Sequence, residues 1–155
     1  MKSVPYVKRK SKKIVLVGGC FDVLHPGHVI FLEKAKQEGD ILVVLLESDE
    51  KIKELKGKNR PFFNQKERAA VLSALGSVDR VVLLPFMERE SDYDQIIATI
   101  KPDIIAATYG YANSKHHQRS AKLTGAKLKY VSRMIGNYFT SRILTSFVKK
   151  KFMID

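Results

Sequence analysis

Cysteine is almost absent from this sequence. Cys20 stands alone among 155 residues, which excludes an internal disulfide and fits a reducing compartment such as the cytoplasm. No apolar run approaches the roughly 20 residues that a membrane helix needs, and the N-terminal region lacks the apolar core of a secretory signal. Neither an internal repeat nor a long linker interrupts the chain, so its length and 45% hydrophobic content suit one domain around one core. Acids are scarce at the ends. Residues 1–13 hold six Lys or Arg and no acid, and residues 149–155 hold three Lys against Asp155. The tails thus carry +8 of the formal +12 and leave +4 for a mildly basic body, which suits phosphorylated ligands. The run Lys8-Arg9-Lys10-Ser11-Lys12-Lys13 is able to attract nucleic acid or an acidic membrane surface, but its plainer reading is a solvated tail without fixed structure.

What is present is an alternation of apolar runs with helical segments. Ile14 to Val17, Ile41 to Leu46, Val81 to Leu84, Asp103 to Ala107 and Lys127 to Val131 read as strands. Between them, helices are predicted over Val29 to Lys36, Ser48 to Leu55, Gln65 to Leu75, Ser91 or Asp94 to Ile100, and Asn113 to Leu123, with a last one from Thr140 to Lys150. Asn64 with Glu67 offers a capping-box start. Buried strands alternating with helices predict an α/β fold, a single-domain Rossmann-like parallel sheet with helices on both faces. Ligands then bind outside the carboxyl ends of the strands.

The stretch from Gly18 to His28, Gly-Gly-Cys-Phe-Asp-Val-Leu-His-Pro-Gly-His, joins the first strand to the first helix. Glycine has no Cβ to hold a ligand away, and the first helical N–H groups have no partners within the helix, so such a turn can receive an anion, phosphate above all. His25 and His28 flank Pro26-Gly27, which places two imidazoles beside a helix N-terminus if the helix begins near Pro26. Two such donors and a helix dipole are able to stabilise charge building on a phosphoryl group. A metal site is the weaker reading, because only Asp22 is near enough to be a third ligand and there is no cysteine pair.

These residues resemble the signature of the cytidylyltransferase-like nucleotidyltransferases, G-x-F-D-x-x-H-x-G-H, at Gly19, Phe21, Asp22, His25, Gly27 and His28. The resemblance implies that His25 and His28 are catalytic and contact the nucleotide phosphates. It also implies that Gly19, Cys20, Phe21 and Gly27 form part of the nucleotide site. A nucleotidyltransferase domain over residues 14–150 is expected, between the basic tail 1–13 and a C-terminal tail 151–155. Further on, Lys56-Gly57-Lys58-Asn59-Arg60-Pro61 and Arg68 to Asp79 resemble the K-G-x-x-R-P and R-x-x-x-L-x-A-L-x-x-V-D run of the branch that includes heptose 1-phosphate adenylyltransferases. Lys56 and Arg60 are candidate phosphate or acceptor ligands, the one a flexible and the other a planar cation. A solvated basic loop is the alternative. Arg68, inside a helix, is expected to be a structural ion-pair partner.

The second half departs more from the family. Where members usually follow the Lys-Pro-Asp strand with glycines and an aspartate, Gly110 occupies the aspartate's place. Lys101 to Tyr109 also resembles archaeal FMN adenylyltransferases, which Gly110 again leaves. A different acceptor pocket is expected, drawing on Tyr109, Tyr111, Asn113, His116 or His117. Arg133 to Ile143 resembles the family's R-x-x-G-I-S-T-T-x-I segment, with Phe139 in place of a serine. It makes Arg133 a candidate ligand and puts Thr140 and Ser141 where helix-start hydroxyls bind phosphate or act as ordinary caps.

The resemblance implies attack of an acceptor phosphate on the α-phosphorus of a nucleoside triphosphate, with Mg²⁺ held mainly by the phosphates and no resident protein metal site. AMP transfer from ATP to a small phosphorylated acceptor such as a sugar phosphate is the leading expectation. CTP with a polyol phosphate, or FMN as acceptor, are the enzymatic rivals. A nucleotide-sensing or nucleic-acid-associated module is the non-enzymatic one, motivated by Gly110, Phe139 and the basic tail. An aminoacyl-tRNA synthetase fragment fits poorly without a Lys-Met-Ser-Lys-Ser loop. A nucleophilic Cys20 has no ordered base partner in the sequence. The family often dimerises, so a homodimer stays open.

Overall fold

The computed structural model describes residues 11–110 and 114–133. Five strands, β1 (Ile14–Gly19), β2 (Ile41–Leu46), β3 (Arg80–Leu83), β4 (Ile104–Tyr109) and β5 (Lys127–Arg133), form one parallel sheet in the order β3-β2-β1-β4-β5. The helices are α1 (Pro26–Lys36), α2 (Asp49–Lys56), α3 (Gln65–Ser73), α4 (Glu90–Ile100) and α5 (Ser114–Thr124). The expected α/β parallel sheet is therefore present. Its expected last helix, with Thr140 and Ser141, lies outside the described residues, as do Tyr111 and Asn113.

Alternation along each central strand fills both faces, as parallel strands require. Val15, Val17, Leu42, Val44, Leu46, Ile104 and Ala106 pack with Leu32 and Ala35 of α1 and Leu72 of α3. On the opposite face Leu16, Val43, Leu45 and Ile105 meet Ile97 of α4, with Leu84 and Met87. Fully burying a side chain such as Leu32 stabilises by about 1.5–3 kcal/mol, so these two layers, not helix propensity, hold the helices in place.

Helix ends depart from the sequence reading for local reasons. Ser48 lies outside α2 as its cap, its hydroxyl accepting from Lys51 N at 3.1 Å. The capping box of Asn64 and Glu67 does start α3, but the chain leaves the helix after Ser73 through three-residue turns, Leu75 N to Leu72 O and Val78 N to Leu75 O. Helix α4 begins at Glu90, ahead of both expected starts, because the Asp92 carboxylate accepts from Arg89 N at 2.9 Å.

The order places β1 at the centre, with the chain crossing from β3 on one flank to β4 on the other. This is a topological switch point, where an open sheet of this kind makes its ligand crevice. Pairing of β1 with β2 runs from Ile14↔Ile41 to Gly19↔Leu46, whereas β1 pairs with β4 at Val15↔Ile104 and Leu16↔Ile105. The carboxyl ends of β1 and β4 consequently part above the paired residues.

The turn between α1 and β2 approaches β1 closely. A Cβ on Gly39 would stand 2.7 Å from Val15 Cγ2 and 2.8 Å from the Lys13 carbonyl oxygen, while one on Gly18 would meet Leu45 at 3.9 Å. Lys13 cannot yield freely, since its carbonyl accepts from Asp40 N and Ile41 N and its N–H donates to Asp40. Gly39→Ala should cost about 1–3 kcal/mol in urea denaturation, the usual range for overpacking. Gly18→Ala should stay near wild type in the same measurement.

Candidate active site

Beyond Gly19 the chain turns through Cys20 into Phe21, whose φ of +42° is left-handed. A non-glycine residue there is strained by about 1–3 kcal/mol, and packing must hold it. The Phe21 ring is buried, and a Cβ at Gly19 would lie 2.9 Å from its Cε2, so Gly19 makes room for the ring that holds the turn. The ring also meets His28, with centroids 5.2 Å apart.

Asp22 is 1% exposed and is satisfied by two donors from the loop after α2. Phe62 N donates to Oδ1 at 2.6 Å, and the Arg60 guanidinium pairs with Oδ2. The signature turn and the basic loop are thereby joined through a buried ion pair. His25 takes extended backbone angles as the residue before α1, Pro26 opens the helix, and His28 N donates to His25 O at 2.9 Å. The two imidazoles stack with centroids 3.7 Å apart and planes 21° from parallel, beside the helix N-terminus.

Electrostatics keep these rings neutral. Burial pushes the His28 pKa down to about 3, and the positive charges of a protonated His25 and of Lys56 add to the effect. His25 is also lowered, by burial first and Lys56 after it. Burial raises the Cys20 thiol, which leaves it protonated at neutral pH and removes the ordinary route to a nucleophilic thiolate.

A cleft of about 840 Å³ opens above the parted strand ends. Gly19, Cys20, Phe21, His25, Gly27 and His28 line it, joined by Lys56 from the end of α2 and Arg133 from the end of β5. Arg60 is not among its lining residues, since Asp22 holds its guanidinium. Tyr109 is 58% exposed, stands edge-on to Tyr130, and lies under the Arg133 guanidinium at 5.3 Å. His116 and His117 both line the cleft. His116 Nδ1 meets Glu90 at 3.0 Å, and the buried His117 Nδ1 has no hydrogen-bond partner.

The structure adds a pair that the sequence reading missed. Glu47 follows β2 and lines the cleft, and the Tyr93 hydroxyl of α4 donates to its two carboxylate oxygens, each at 3.1 Å. Burial raises the Glu47 pKa against the pull of Tyr93, Lys51 and Arg68, and burial with Glu47's charge pushes the Tyr93 phenol up. An acid directly after a six-residue apolar strand was the available signal, because such a position faces the ligand end of a parallel sheet. Among the described residues no three His, Cys, Asp or Glu form a group able to hold a metal ion. None of the described helices is long and apolar enough to cross a membrane.

A family model described as cytidylyltransferase-like matches residues 16–151. The chain belongs to the cytidylyltransferase-like family. The bifunctional protein HldE of Helicobacter pylori strain J99 is 40% identical over 141 residues, covering 89% of this chain and 28% of that protein. The bifunctional protein HldE of Campylobacter fetus is 46% identical over 109 residues, covering 70% and 23%. This cytidylyltransferase-like chain thus spans about a quarter of the length of those curated relatives. A lipopolysaccharide core biosynthesis protein from Thermoplasma volcanium superposes with a TM-score of 0.63 at 33% identity, over 83% of this chain and 100% of that one.

The histidine environment predicts a pH response. The unfolded His28 takes up a proton near the ordinary value of 6.5, and the folded one only near 3. Below 6.5 the unfolded state therefore binds more protons, so His28 lowers stability progressively as pH falls towards 3 and has no such effect above 6.5. NMR titration of the ligand-free protein should show the His28 ring neutral from pH 8 down to 5. A midpoint near 6.5 would contradict the burial argument.

Proposed function

We propose that this nucleotidyltransferase moves AMP from ATP to a small sugar phosphate in the cytoplasm, a heptose 1-phosphate being the first acceptor to try. The observation that carries this reading is the stacked His25–His28 pair beside the N-terminus of α1, in the lining of a cleft of about 840 Å³. The choice of ATP and a sugar phosphate is supported by the likeness of residues 14–84 to heptose 1-phosphate adenylyltransferases and by the similarity to HldE proteins. CTP with a polyol phosphate is the reading to test beside it, favoured by the description of the family model.

In this mechanism an oxygen of the acceptor phosphate forms a bond to the α-phosphorus. The bond from that phosphorus to the bridging oxygen of the β-phosphate breaks, and pyrophosphate leaves with the electron pair. An ionised phosphate is already a nucleophile, so positioning and charge neutralisation do most of the work. His25 and His28 donate N–H groups to the triphosphate, where its charge favours their protonated forms over the neutral ones of the free protein. The N-terminus of α1 adds its dipole, and Lys56 supplies a flexible cation from the end of α2. Arg60 acts through Asp22 by fixing the loop that carries it. Mg²⁺ would come with the nucleotide rather than from a protein site, and would supply charge neutralisation at the phosphates. Thr140 and Ser141 are assigned to nucleotide phosphate, and Arg133 to a phosphate or the acceptor.

Pyrophosphate release with Mg²⁺ and either ATP or CTP, measured against sugar phosphates, polyol phosphates and FMN, tests this directly. Release should need ATP and a sugar phosphate. His28→Ala and His25→Ala should each lower kcat by roughly 10²- to 10³-fold, as loss of one transition-state donor does, with little change in thermal unfolding. Wild-type turnover in both variants would remove the histidines from the mechanism, and release with CTP alone would replace the donor.

A further inference from the structure

The cleft has a second side that phosphate chemistry does not explain. From β1 the phosphate turn faces it, and one strand over, Glu47 N donates to Gly19 O at 3.1 Å, which sets the Glu47 side chain next to that turn. A carboxylate so close to a phosphate site repels the ligand's charge, and burial makes it costly to keep ionised. Among the described residues it forms no ion pair. Instead, the single proton of the Tyr93 hydroxyl is shared between its two oxygens.

A carboxylate has about four acceptor positions, and one phenol proton occupies a fraction of them. The spare capacity, in a cleft-lining residue, calls for a donor. A fully ionised phosphate monoester offers none. An ammonium group is disfavoured by Lys56, which shares the lining and joins none of the ion pairs of the described residues, while Lys51, Arg89 and Arg119 are paired with Glu54, Asp92 and Asp94. A neutral hydroxyl fits both limits: it donates to the carboxylate and carries no charge against Lys56.

We propose that Glu47, oriented by Tyr93, is the hydroxyl-reading group of the acceptor side and selects sugar or polyol phosphates over bare phosphate. The two ends of one acceptor are then read by different chemistry. Cations take the phosphate, and the pair of Glu47 and Tyr93 takes the hydroxylated carbon chain. This rests on the reading of the acceptor as a sugar phosphate, but binding tests it without turnover.

The full chain is titrated calorimetrically with a heptose 1-phosphate, with inorganic phosphate and with ATP. Wild type should bind the sugar phosphate more tightly than inorganic phosphate. Glu47→Gln, which keeps the shape and can still accept from Tyr93, should narrow that margin roughly 10- to 100-fold, the worth of a hydrogen bond to a charged group. Affinity for inorganic phosphate should hold or tighten, because a repelling charge is gone. A merely structural role would weaken both ligands together. Tyr93→Phe should narrow the same margin, and it serves if Glu47→Gln does not fold. Equal affinity of wild type for the two phosphates overturns the inference, as does an unchanged margin in the variants or a loss confined to ATP. A margin that collapses in Glu47→Gln without any pyrophosphate release in wild type would support Glu47's role while removing adenylyl transfer.

Discussion

The cleft depends on one buried guanidinium. Arg68, 2% exposed inside α3, donates to the carbonyl oxygens of Cys20 at 2.6 Å, Glu47 at 2.9 Å and Phe63 at 3.0 Å, and to Asp49 Oδ1 at 2.7 Å. Those carbonyls belong to the turns that leave β1 and β2 and to the approach to α3, where regular pairing ends. Each would be an unmet acceptor without it, and a buried charge would be ruinous if these partners were missing. Gln65 does the same for β2 and the segment after β3, its amide reaching Leu46 O and Leu84 O. The floor of the site is therefore stitched by side chains of α3, a helix that contributes nothing to the lining.

On that floor, charges are sorted by whether they are already satisfied. Asp22 faces the phosphate turn as a buried carboxylate, yet Arg60 and Phe62 N occupy it, so it acts as an anchor. Lys56 lines the cleft and takes part in none of the ion pairs of the described residues. The histidines are held neutral by burial and by neighbouring positive charge until an anion arrives.

The sheet was legible because each central strand is an uninterrupted apolar run bounded by Gly, Pro or Asp, and because the turn after β1 carries six defined positions in a strand-to-helix context. Arg68 was also readable as an ion-pair partner, although its three carbonyl contacts were not. What stayed hidden depends on contacts across long separations. Asp22 meets Arg60 across 38 residues, and Glu47 meets Tyr93 across 46. Periodicity contains no trace of either. The early start of α4 was missed for a smaller reason: Arg89 is a poor cap by side chain, and the Asp92 carboxylate supplies the bond instead.

The central place of β1 has a consequence for how the chain is made. Strand β1 has one neighbour within reach early, β2, while its other edge waits for Ile104 and Ile105 of β4. Asp103 closes that seam, its carboxylate accepting from Ile14 N across 89 residues. At roughly 5–20 residues per second, the open edge of β1 faces the cell for on the order of 5–20 s while the ribosome completes the second half. Co-translational folding must therefore shelter a buried strand, Ile14 to Gly19, whose last residues become the phosphate turn.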